Sequence, residues 1–390
     1  MKQRNTRQAE PTLPRDFVSL DDPRVEPFGR DLDELRQRIE AEVGADDLTR
    51  VRRLDRLSRG LEITGRVLLH FSFEPVGFVA GVGALWLHKQ LQATEIGHTA
   101  LHGAYDRIEG AGRFHAKRFR WDVPIDERAW HHSHNVEHHQ YTNVAERDPD
   151  LRYGMVRLSP RVPFRAHHRR QLWSVVYTWL GLGFFMNLHA TGLDRVIIDG
   201  DAGPQRADEP AGQTLSDRRH AALRKYAPYY LYNFVLFPAL AGAGWWKVLL
   251  GNWMAETLRD VYSAASIFCG HVGADVRDWP ADTRPKGRAQ WYAMQVQSAN
   301  DFRVPYVLSV LCGGLDYQIE HHLFPRLPPE RLRQIAPEVE ALCEKHGMPY
   351  RVASWPATLG KVFRRLRSLT AEFVAPAAGV AATREQADAA

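Results

Sequence analysis

The sequence predicts a mainly α-helical protein, in which a four-helix transmembrane bundle carries a cytosolic helical cap with a histidine-rich site for two metal ions. Three observations support this fold. Apolar segments of helical length lie in residues 61–93 and 226–270. Residues 94–170 are polar and rich in arginine, which favours the cytosolic side of a membrane. Three histidine clusters have apolar segments placed between them.

The composition narrows the classes of protein that fit. The chain has 390 residues, a formal net charge of +5 and a mean hydropathy of −0.39, so most of it is too polar for a transporter. Arginine is spread along the polar parts, and the basic excess suits a membrane face or a phosphate better than nucleic acid. Cys269, Cys312 and Cys343 form no CxxC pattern and are predicted to be reduced thiols in a cytosolic setting.

The chain divides into three predicted parts: a polar N-terminal segment with an amphipathic helix (1–55), a membrane domain that holds the site (56–350) and a partly disordered tail (351–390). Residues 1–30 contain four prolines and are predicted to lack stable structure, and 31–59 to form the amphipathic helix. In the tail, the Ala-rich residues 376–390 are predicted to be disordered.

The first apolar block, residues 61–93, is interrupted at Glu74 and Pro75. A membrane span needs about 20 residues, so the block is too short for two full spans by itself. Either it forms one tilted span, or it is a hairpin whose first helix begins near Arg56. We favour the hairpin.

Three further apolar segments cover residues 171–193, 226–246 and 247–270. His134 and His271 can share one site only if the chain crosses the membrane an even number of times between them. We therefore predict an amphipathic interfacial helix at 171–193 and a hairpin that turns at residues 242–246. A further helix is predicted to start at Pro328 and to end near His346.

The histidines carry the strongest chemical signal. His98 and His102 are spaced i, i+4, which places both on one face of a helix. His134 and His138 repeat that spacing, and His139 follows about 100° round the same helix. The predicted metal ligands are the histidines of these clusters together with one at the end of an apolar segment and one downstream pair: His98, His102, His134, His138, His139, His271, His321 and His322.

Residues beside these clusters have supporting roles in this interpretation. Glu137 and Glu320 are predicted to point away or to orient imidazoles rather than to bind metal, and His131 and His132 to lie outside the ligand set. Ligating histidines usually donate their second N–H to a carboxylate or carbonyl. The candidates for that role are Asp106, Asn143, Asp148, Asp150, Asp275 and Asp316. No catalytic residue beyond the metal ligands is predicted.

Eight imidazoles exceed the three ligands that a zinc hydrolase usually needs. They suit two ions with about four ligands each. A pair of redox-active irons can use O2 to remove hydrogen from an unactivated C–H bond. Imidazole also binds zinc, copper and manganese, so the ligand type alone does not select iron.

Four motifs together resemble the membrane fatty acid desaturases of the histidine-box superfamily. They are EIGHTALHG at 95–103, HNVEHHQYTN at 134–143, FCGH at 268–271 and GGLDYQIEHHLFP at 313–325. The resemblance covers residues 60–350 and is greatest to the bacterial acyl-CoA and acyl-lipid branch. The third motif of such proteins begins with His or Gln, and Gln318 is therefore not counted among the ligands.

The resemblance implies a non-haem di-iron centre that uses O2 to insert a cis double bond into a long-chain acyl-CoA or acyl-lipid. It also implies four transmembrane helices in a bacterial inner membrane, with the site on the cytosolic face. No His-Pro-Gly-Gly haem motif is found, so electrons are expected from a separate ferredoxin or flavin reductase.

Two other functions remain open. The same centre can hydroxylate a lipid or hydrocarbon, in which case the product gains oxygen instead of losing hydrogen. Alternatively, the protein binds metal or senses lipid in a membrane without catalysing a reaction.

Overall fold

A computed structural model describes residues 17–199 and 214–371. The predicted mainly α-helical fold is confirmed. Within these ranges the α-helices are α1 (Val25–Glu42), α2 (Ala45–Phe71), α3 (Pro75–Leu91), α4 (Thr99–Leu101), α5 (Glu127–Trp130), α6 (His139–Tyr141), α7 (Gln171–Leu180), α8 (Leu182–Ala190), α9 (Leu193–Asp199), α10 (Leu215–Leu231), α11 (Phe237–Leu240), α12 (Trp245–His271), α13 (Arg288–Gln297), α14 (Tyr306–Cys312), α15 (Gln318–Leu323), α16 (Pro329–His346) and α17 (Trp355–Ala371).

Shorter elements connect these helices. π-Helical segments cover Gln92–His98, His131–His138 and Tyr232–Leu236, and 3₁₀ segments cover Gly112–Phe114, Asp150–Arg152, Ala166–Arg170 and Gly242–Gly244. Strands β1 (Asp301–Arg303) and β2 (Val352–Ser354) pair in parallel, with Phe302 opposite Ala353.

Two helical hairpins form the centre of the molecule. Helices α2 and α3 pack along each other, and the chain reverses at Glu74, whose carboxylate caps the N-terminus of α3 ahead of Pro75. The structure therefore contains the hairpin predicted for residues 61–93, but its first helix begins at Ala45 rather than near Arg56. The second hairpin joins α10 and α11 to α12 and turns at Gly242–Gly244, as predicted. Helix α12 also packs against α3 and α2, which completes a four-helix bundle.

The bundle helices do not meet the criteria for a membrane crossing. In the part of the chain that the structure describes, no helix is both long enough and apolar enough to span a bilayer.

Residues 171–193, predicted as one interfacial helix, form α7 and α8 with a break at Gly181. The outer face of α7 is apolar, and the side chains of Trp173 and Tyr177 are exposed. Its position at a membrane interface stays a prediction.

The predicted disorder of residues 1–30 is wrong for residues 25–30, which belong to α1. Val18, Val25 and Phe28 are buried in a core that they share with α13, α15 and α16, and burial of these side chains stabilises the helix. The amphipathic helix predicted for 31–59 is interrupted between α1 and α2 at residues 43–44.

The C-terminal part contains more structure than its sequence suggests. Helix α16 has the predicted bounds, and α17 then packs against α7 and α12 through Val362 and Leu366. The predicted disorder at 376–390 lies outside the described residues, as do residues 1–16. The domain boundaries stay predictions.

Candidate metal centre

Two of the histidine clusters lie on π-helical segments. Gln92–His98 continues directly from α3 and leads into α4, and His131–His138 joins α5 to α6. A π-helix closes its hydrogen bonds at i→i+5, and such segments are frequent at functional sites. The helices therefore widen at the positions from which the imidazoles project.

The first group of histidines contains His98, His102, His134 and His321, whose ligand atoms lie within 4.8 Å of one another. The Nε2 atoms of His98 and His102 are 3.1 Å apart, as the i, i+4 spacing predicted. The Nε2 atom of His134 lies 3.4 Å from that of His98, so the first and the second π-helical segments contribute to the same group.

The second group contains His138, His271 and His322. The Nε2 atoms of His138 and His271 are 3.3 Å apart, although the two residues are far apart in the sequence. His139 lies between the groups: its ring stacks on His322 at a centroid distance of 4.3 Å, and its Nε2 is 3.2 Å from that of His134. All eight predicted ligands therefore converge, whereas their binding of metal stays a prediction.

The pairing on the second π-helical segment differs from the α-helical expectation. His134 and His138 point into different groups, and the nearby nitrogen partner of His134 is His139, at i+5, the first residue of α6. The wider π-helical turn accounts for this change of register. His134 and His138 also form a third possible group with Asp150.

The nitrogen separations fit common coordination of an ion. Two nitrogens that each lie about 2.1 Å from one metal, at angles of 90–110°, are about 3.0–3.4 Å apart. The four separations quoted above, 3.1 to 3.4 Å, fall in this interval. Within the described part of the chain, Nε2 of His321 and Nε2 of His322 are buried without a hydrogen-bond partner. Such atoms need a partner, and a metal ion provides one.

Contacts to the outer ring nitrogens orient the second group. The Nδ1–H of His138 donates to Asp148 at 2.9 Å, and Asp150 lies 3.5 Å from the same nitrogen. Nδ1 of His271 donates to the carbonyl of Ser298 at 3.3 Å. Both contacts direct Nε2 at the group, where it can offer a lone pair to a metal ion once it is unprotonated, which is the usual arrangement in metal sites.

His322 is oriented by residues that the sequence interpretation missed. Its Nδ1 donates to Oε1 of Gln295 at 3.0 Å and lies 3.1 Å from the hydroxyl of Thr142. Trp130 was also missed, and its indole stacks on His134 at 4.4 Å. No sequence signal identifies Gln295, because α13 lies outside every histidine motif.

Burial keeps most of the imidazoles neutral. Burial and the neighbouring His138 lower the pKa of His98 to about 3 and that of His271 to about 3. Burial likewise holds the pKa values of five others well below 6.5: His102, His134, His139, His321 and His322. Neutral imidazole is the form that binds metal.

His138 is the exception. Although burial alone disfavours its charge, the carboxylates of Asp148 and Asp150 raise the pKa of His138 to about 9. This imidazole must therefore release a proton when a metal binds near neutral pH.

Of the neighbouring candidates, only some touch the histidines. Asp148 and Asp150 do so, whereas Asp275 pairs with Lys361 at 2.6 Å. Glu320 accepts a hydrogen bond from Tyr350 at 3.0 Å, and Glu137 lies 3.4 Å from His132. Both glutamates therefore have partners outside the two groups.

Gln318, which was not counted among the predicted ligands, contacts the second group. Its amide nitrogen is 2.7 Å from Nε2 of His271, and its Oε1 is buried without a hydrogen-bond partner in the described residues. The side-chain amide therefore borders the space between His138 and His271.

An apolar cavity with about 680 Å³ of empty space, part of it open to solvent, lies beside both groups. His98, His134, His138 and His271 line one wall. A second apolar cavity of about 580 Å³ adjoins it and is also lined by His271. The two share four further lining residues: Asp150, Leu182, Met186 and Ile267. The two cavities together present a mainly apolar pocket to the histidines.

Comparison with known proteins gives consistent matches. A family model described as fatty acid desaturase matches residues 73–354. A protein of Mycobacterium tuberculosis named NADPH-dependent stearoyl-CoA 9-desaturase is 32% identical over 361 residues, which cover 91% of this chain and 82% of that protein. The Delta(5) fatty acid desaturase A of Dictyostelium discoideum is 24% identical over 65% of this chain and 55% of its own. The sn-1 linoleoyl-lipid 6-desaturase of Arthrospira platensis is 22% identical over 75% of this chain and 73% of its own.

Proposed function

The chain belongs to the fatty acid desaturase family, and we propose that it inserts a cis double bond into a long-chain acyl substrate in an O2-dependent reaction at two iron ions. The family match and the names of its relatives identify the enzyme as an acyl desaturase. The observation that carries the finer proposal is the convergence of eight histidines into two groups beside an apolar cavity.

The donor set supports two ions. In the proposal, one ion is held by the group around His98 and the other by the group around His138, with His139 between them. When bound, the irons supply the redox chemistry with O2 that removes hydrogen from an unactivated C–H bond. The protein's part is to hold the ligands in place through contacts such as that from Asp148 to His138.

The apolar cavities support an acyl chain as the substrate. Residues such as Leu182, Met186 and Ile267 exclude water and favour a hydrocarbon chain. His134 and His271 line the same cavity, so a chain in it lies beside both groups. Holding one pair of carbons next to the reacting centre accounts for much of the rate and for the choice of bond.

The electron balance requires a donor. Removal of two hydrogens from the chain yields two electrons, whereas reduction of O2 to two waters takes four. Two more electrons and two protons must therefore come from outside the substrate. We propose a ferredoxin or flavin reductase as the source, and the name of the mycobacterial relative includes NADPH dependence.

We further propose a bacterial inner membrane as the location, with the histidine groups on the cytosolic side. The tips of both hairpins expose large apolar side chains, which include Phe71, Phe73 and Trp246. Helix α12 runs from this end to His271 over 27 residues, about 40 Å at 1.5 Å per residue. The tips would lie in the hydrocarbon while the histidines remain outside it. An acyl-CoA or acyl-lipid substrate can reach such a site from the membrane surface.

Expression in a host of known lipid composition tests the proposal. Mass spectrometry of the lipids is expected to reveal chains that have lost two hydrogens at one position. His138→Ala should abolish this product, whereas His220→Ala, at an exposed position on α10, should retain it.

Two results would contradict the proposal. A product that gains one oxygen indicates a hydroxylase. Purified protein that binds iron but consumes no O2 with reductant and stearoyl-CoA indicates a non-catalytic role.

A further inference from the structure

A surface groove reaches the first histidine group on a side separate from the apolar cavity. It has about 690 Å³ of empty space, and its lining includes His102, Arg107, His131 and Arg326. The apolar cavity is lined by His98 and His134 of the same group, and the two linings have no residue in common. The first group therefore has one apolar side and one polar side that opens to the surface.

His102 is a short connection between this groove and the other imidazoles. Its ring lies 4.5 Å from that of His98, 4.7 Å from that of His139 and 4.7 Å from that of His321, between centroids. An electron that arrives in the groove is thus one imidazole away from several predicted ligands. Electron transfer slows steeply with distance, so the floor of the groove at His102, a buried side chain that lines it, is a favourable place for electrons to enter.

Cationic side chains outnumber acidic ones around the groove, whose lining also includes Asp106. Arg326 is exposed, and the side chain of Arg107 is 72% exposed. Lys117 and Arg118 are exposed directly after Ala116, which lines the groove. Arg107 is paired with Glu40 at 3.0 Å. Positive charge around a concave surface steers and orients an acidic protein.

A larger groove continues from the first. It has about 1030 Å³ of empty space and shares Glu40, Arg107, Arg326 and Leu327 with its neighbour. It also contains Trp291 and the side chain of Arg288, which is 54% exposed. Aromatic and arginine side chains are enriched in protein interfaces. The two grooves together form a surface that suits a protein partner better than a small molecule.

We propose that this groove is the docking site of an acidic one-electron donor protein of the [2Fe–2S] ferredoxin class, and that electrons reach the metal-binding histidines through His102. The proposal rests on the proposed desaturase function. Each docking event oxidises one cluster by one electron, so two events supply the two electrons that the reaction needs beyond those of the substrate.

The test compares Arg326→Glu with Arg367→Glu, a charge reversal at an exposed position of α17, which packs against α7 and α12. The probe is a plant-type [2Fe–2S] ferredoxin. Its binding to each protein is measured by calorimetry, and its oxidation by the iron-loaded protein is followed by stopped-flow absorbance. Dithionite-driven desaturation of stearoyl-CoA serves as the donor-independent assay.

Arg326→Glu is expected to weaken ferredoxin binding and to slow ferredoxin oxidation at least ten-fold at low salt. The difference from wild type should shrink as salt is added, because screening shortens the range of the interaction to about 10 Å at 0.1 M. Dithionite-driven desaturation should not change. Lys117→Glu with Arg118→Glu should act in the same direction, and Arg367→Glu should behave as wild type.

Several outcomes would overturn the docking site. They are unchanged ferredoxin binding in Arg326→Glu, equal loss in Arg367→Glu, or no binding to the wild-type protein. A raised KM for stearoyl-CoA in the dithionite assay would assign the rim to the phosphates of coenzyme A instead. Wild-type protein that binds and oxidises ferredoxin but forms no double bond would contradict the proposed function and not the docking site.

Discussion

Asp148 holds the imidazole of His138 through a 2.9 Å contact to Nδ1, and this contact directs Nε2 of His138 toward His271. The carboxylate is itself fixed by backbone N–H groups of Asn143 at 2.7 Å and Asp150 at 2.9 Å. A chain of local hydrogen bonds therefore determines which nitrogen of His138 is available to a metal ion. Such contacts raise the basicity of a ligand and fix its tautomer.

Asp148→Asn is expected to weaken iron binding by about 10–100-fold. The amide retains the size of the side chain but removes the negative charge beside His138. Metal content after dialysis against graded chelator concentrations measures the effect. The matched control is Asp31→Asn on α1, which removes a surface partner of Lys345. This variant should bind iron as wild type does. Equal iron content in the two variants would contradict the assigned role.

The contact between Asp148 and His138 predicts that metal binding depends on pH. Because the pKa of His138 is raised to about 9 in the metal-free protein, binding near pH 7 releases its proton. Apparent affinity for Co²⁺, a soluble substitute for iron, should rise as the pH increases from 7 toward 9. Asp148→Asn should flatten this rise, since it lowers the pKa of His138. A wild-type affinity that is constant over this interval would contradict the assignment.

The metal-free protein is expected to lose stability in acid. Unfolded histidine takes up a proton near pH 6.5, whereas His98 and His271 have pKa values of about 3 in the folded protein. The unfolded state then binds more protons, so the free energy of unfolding falls as the pH drops from 6.5 toward 3. His138 has the opposite effect, because its contribution is fully present below pH 6.5 and is lost as the pH rises through about 9.

Thermal unfolding at several pH values tests this expectation. Each histidine of lowered pKa reduces the free energy of unfolding by about 1.4 kcal/mol per pH unit below 6.5, whereas the contribution of His138 is constant in that range. The Tm should therefore fall between pH 7 and pH 5. A Tm that is independent of pH in this interval would show that the imidazoles are not buried in the neutral form.

Gly97→Ala is expected to destabilise the protein by about 1–3 kcal/mol. A Cβ at this position would collide with the indole of Trp121 and with the carbonyl oxygen of Gln92. Trp121 donates its indole N–H to that carbonyl at 3.1 Å, so it cannot move away freely. Denaturant unfolding gives the change in free energy. The control is Gly83→Ala in α3, where nothing lies within 4 Å of the new methyl group and the effect should be neutral or stabilising.

Leu158→Trp is expected to shift the enzyme toward shorter acyl chains. Leu158 lines the second apolar cavity of about 580 Å³, and an indole there would fill space that the distal part of a long chain occupies. The ratio of products from 14-carbon and 18-carbon substrates measures the shift. Leu223→Trp, at a position that is 61% exposed on α10, should leave the ratio unchanged. An unchanged ratio in Leu158→Trp would place the chain outside this cavity.

Motif spacing predicted which histidines of one helix lie close together, because the helical period fixes such local contacts, whereas metal binding by these histidines stays a prediction. His98 and His102 have the expected i, i+4 contact. The requirement that His134 and His271 share one site led to an even number of membrane crossings between them, yet no described helix qualifies as a crossing. The structure brings His271 to His138 because a helical hairpin returns the chain to the same end of the bundle.

Other features depend on tertiary contacts that sequence patterns do not contain. The π-helical register that pairs His134 with His139 depends on packing around the segment, and no propensity scale predicts it. Gln295 reaches His322 from a helix without a motif. The helical structure of residues 25–30 likewise depends on distant partners. The prolines near these residues suggested a loop, but Phe28 is buried in the core and stabilises a helix there.

The packing of α1 has a practical consequence for anyone who shortens this protein. Phe28, Leu32 and Ile39 occupy the same core as Ile319 and Leu323, which flank the final histidine pair. Trimming the chain to the matched family region would expose that core beneath His321 and His322. Shortened versions that begin after α1 should therefore express poorly or lose iron, even though every predicted ligand is still encoded.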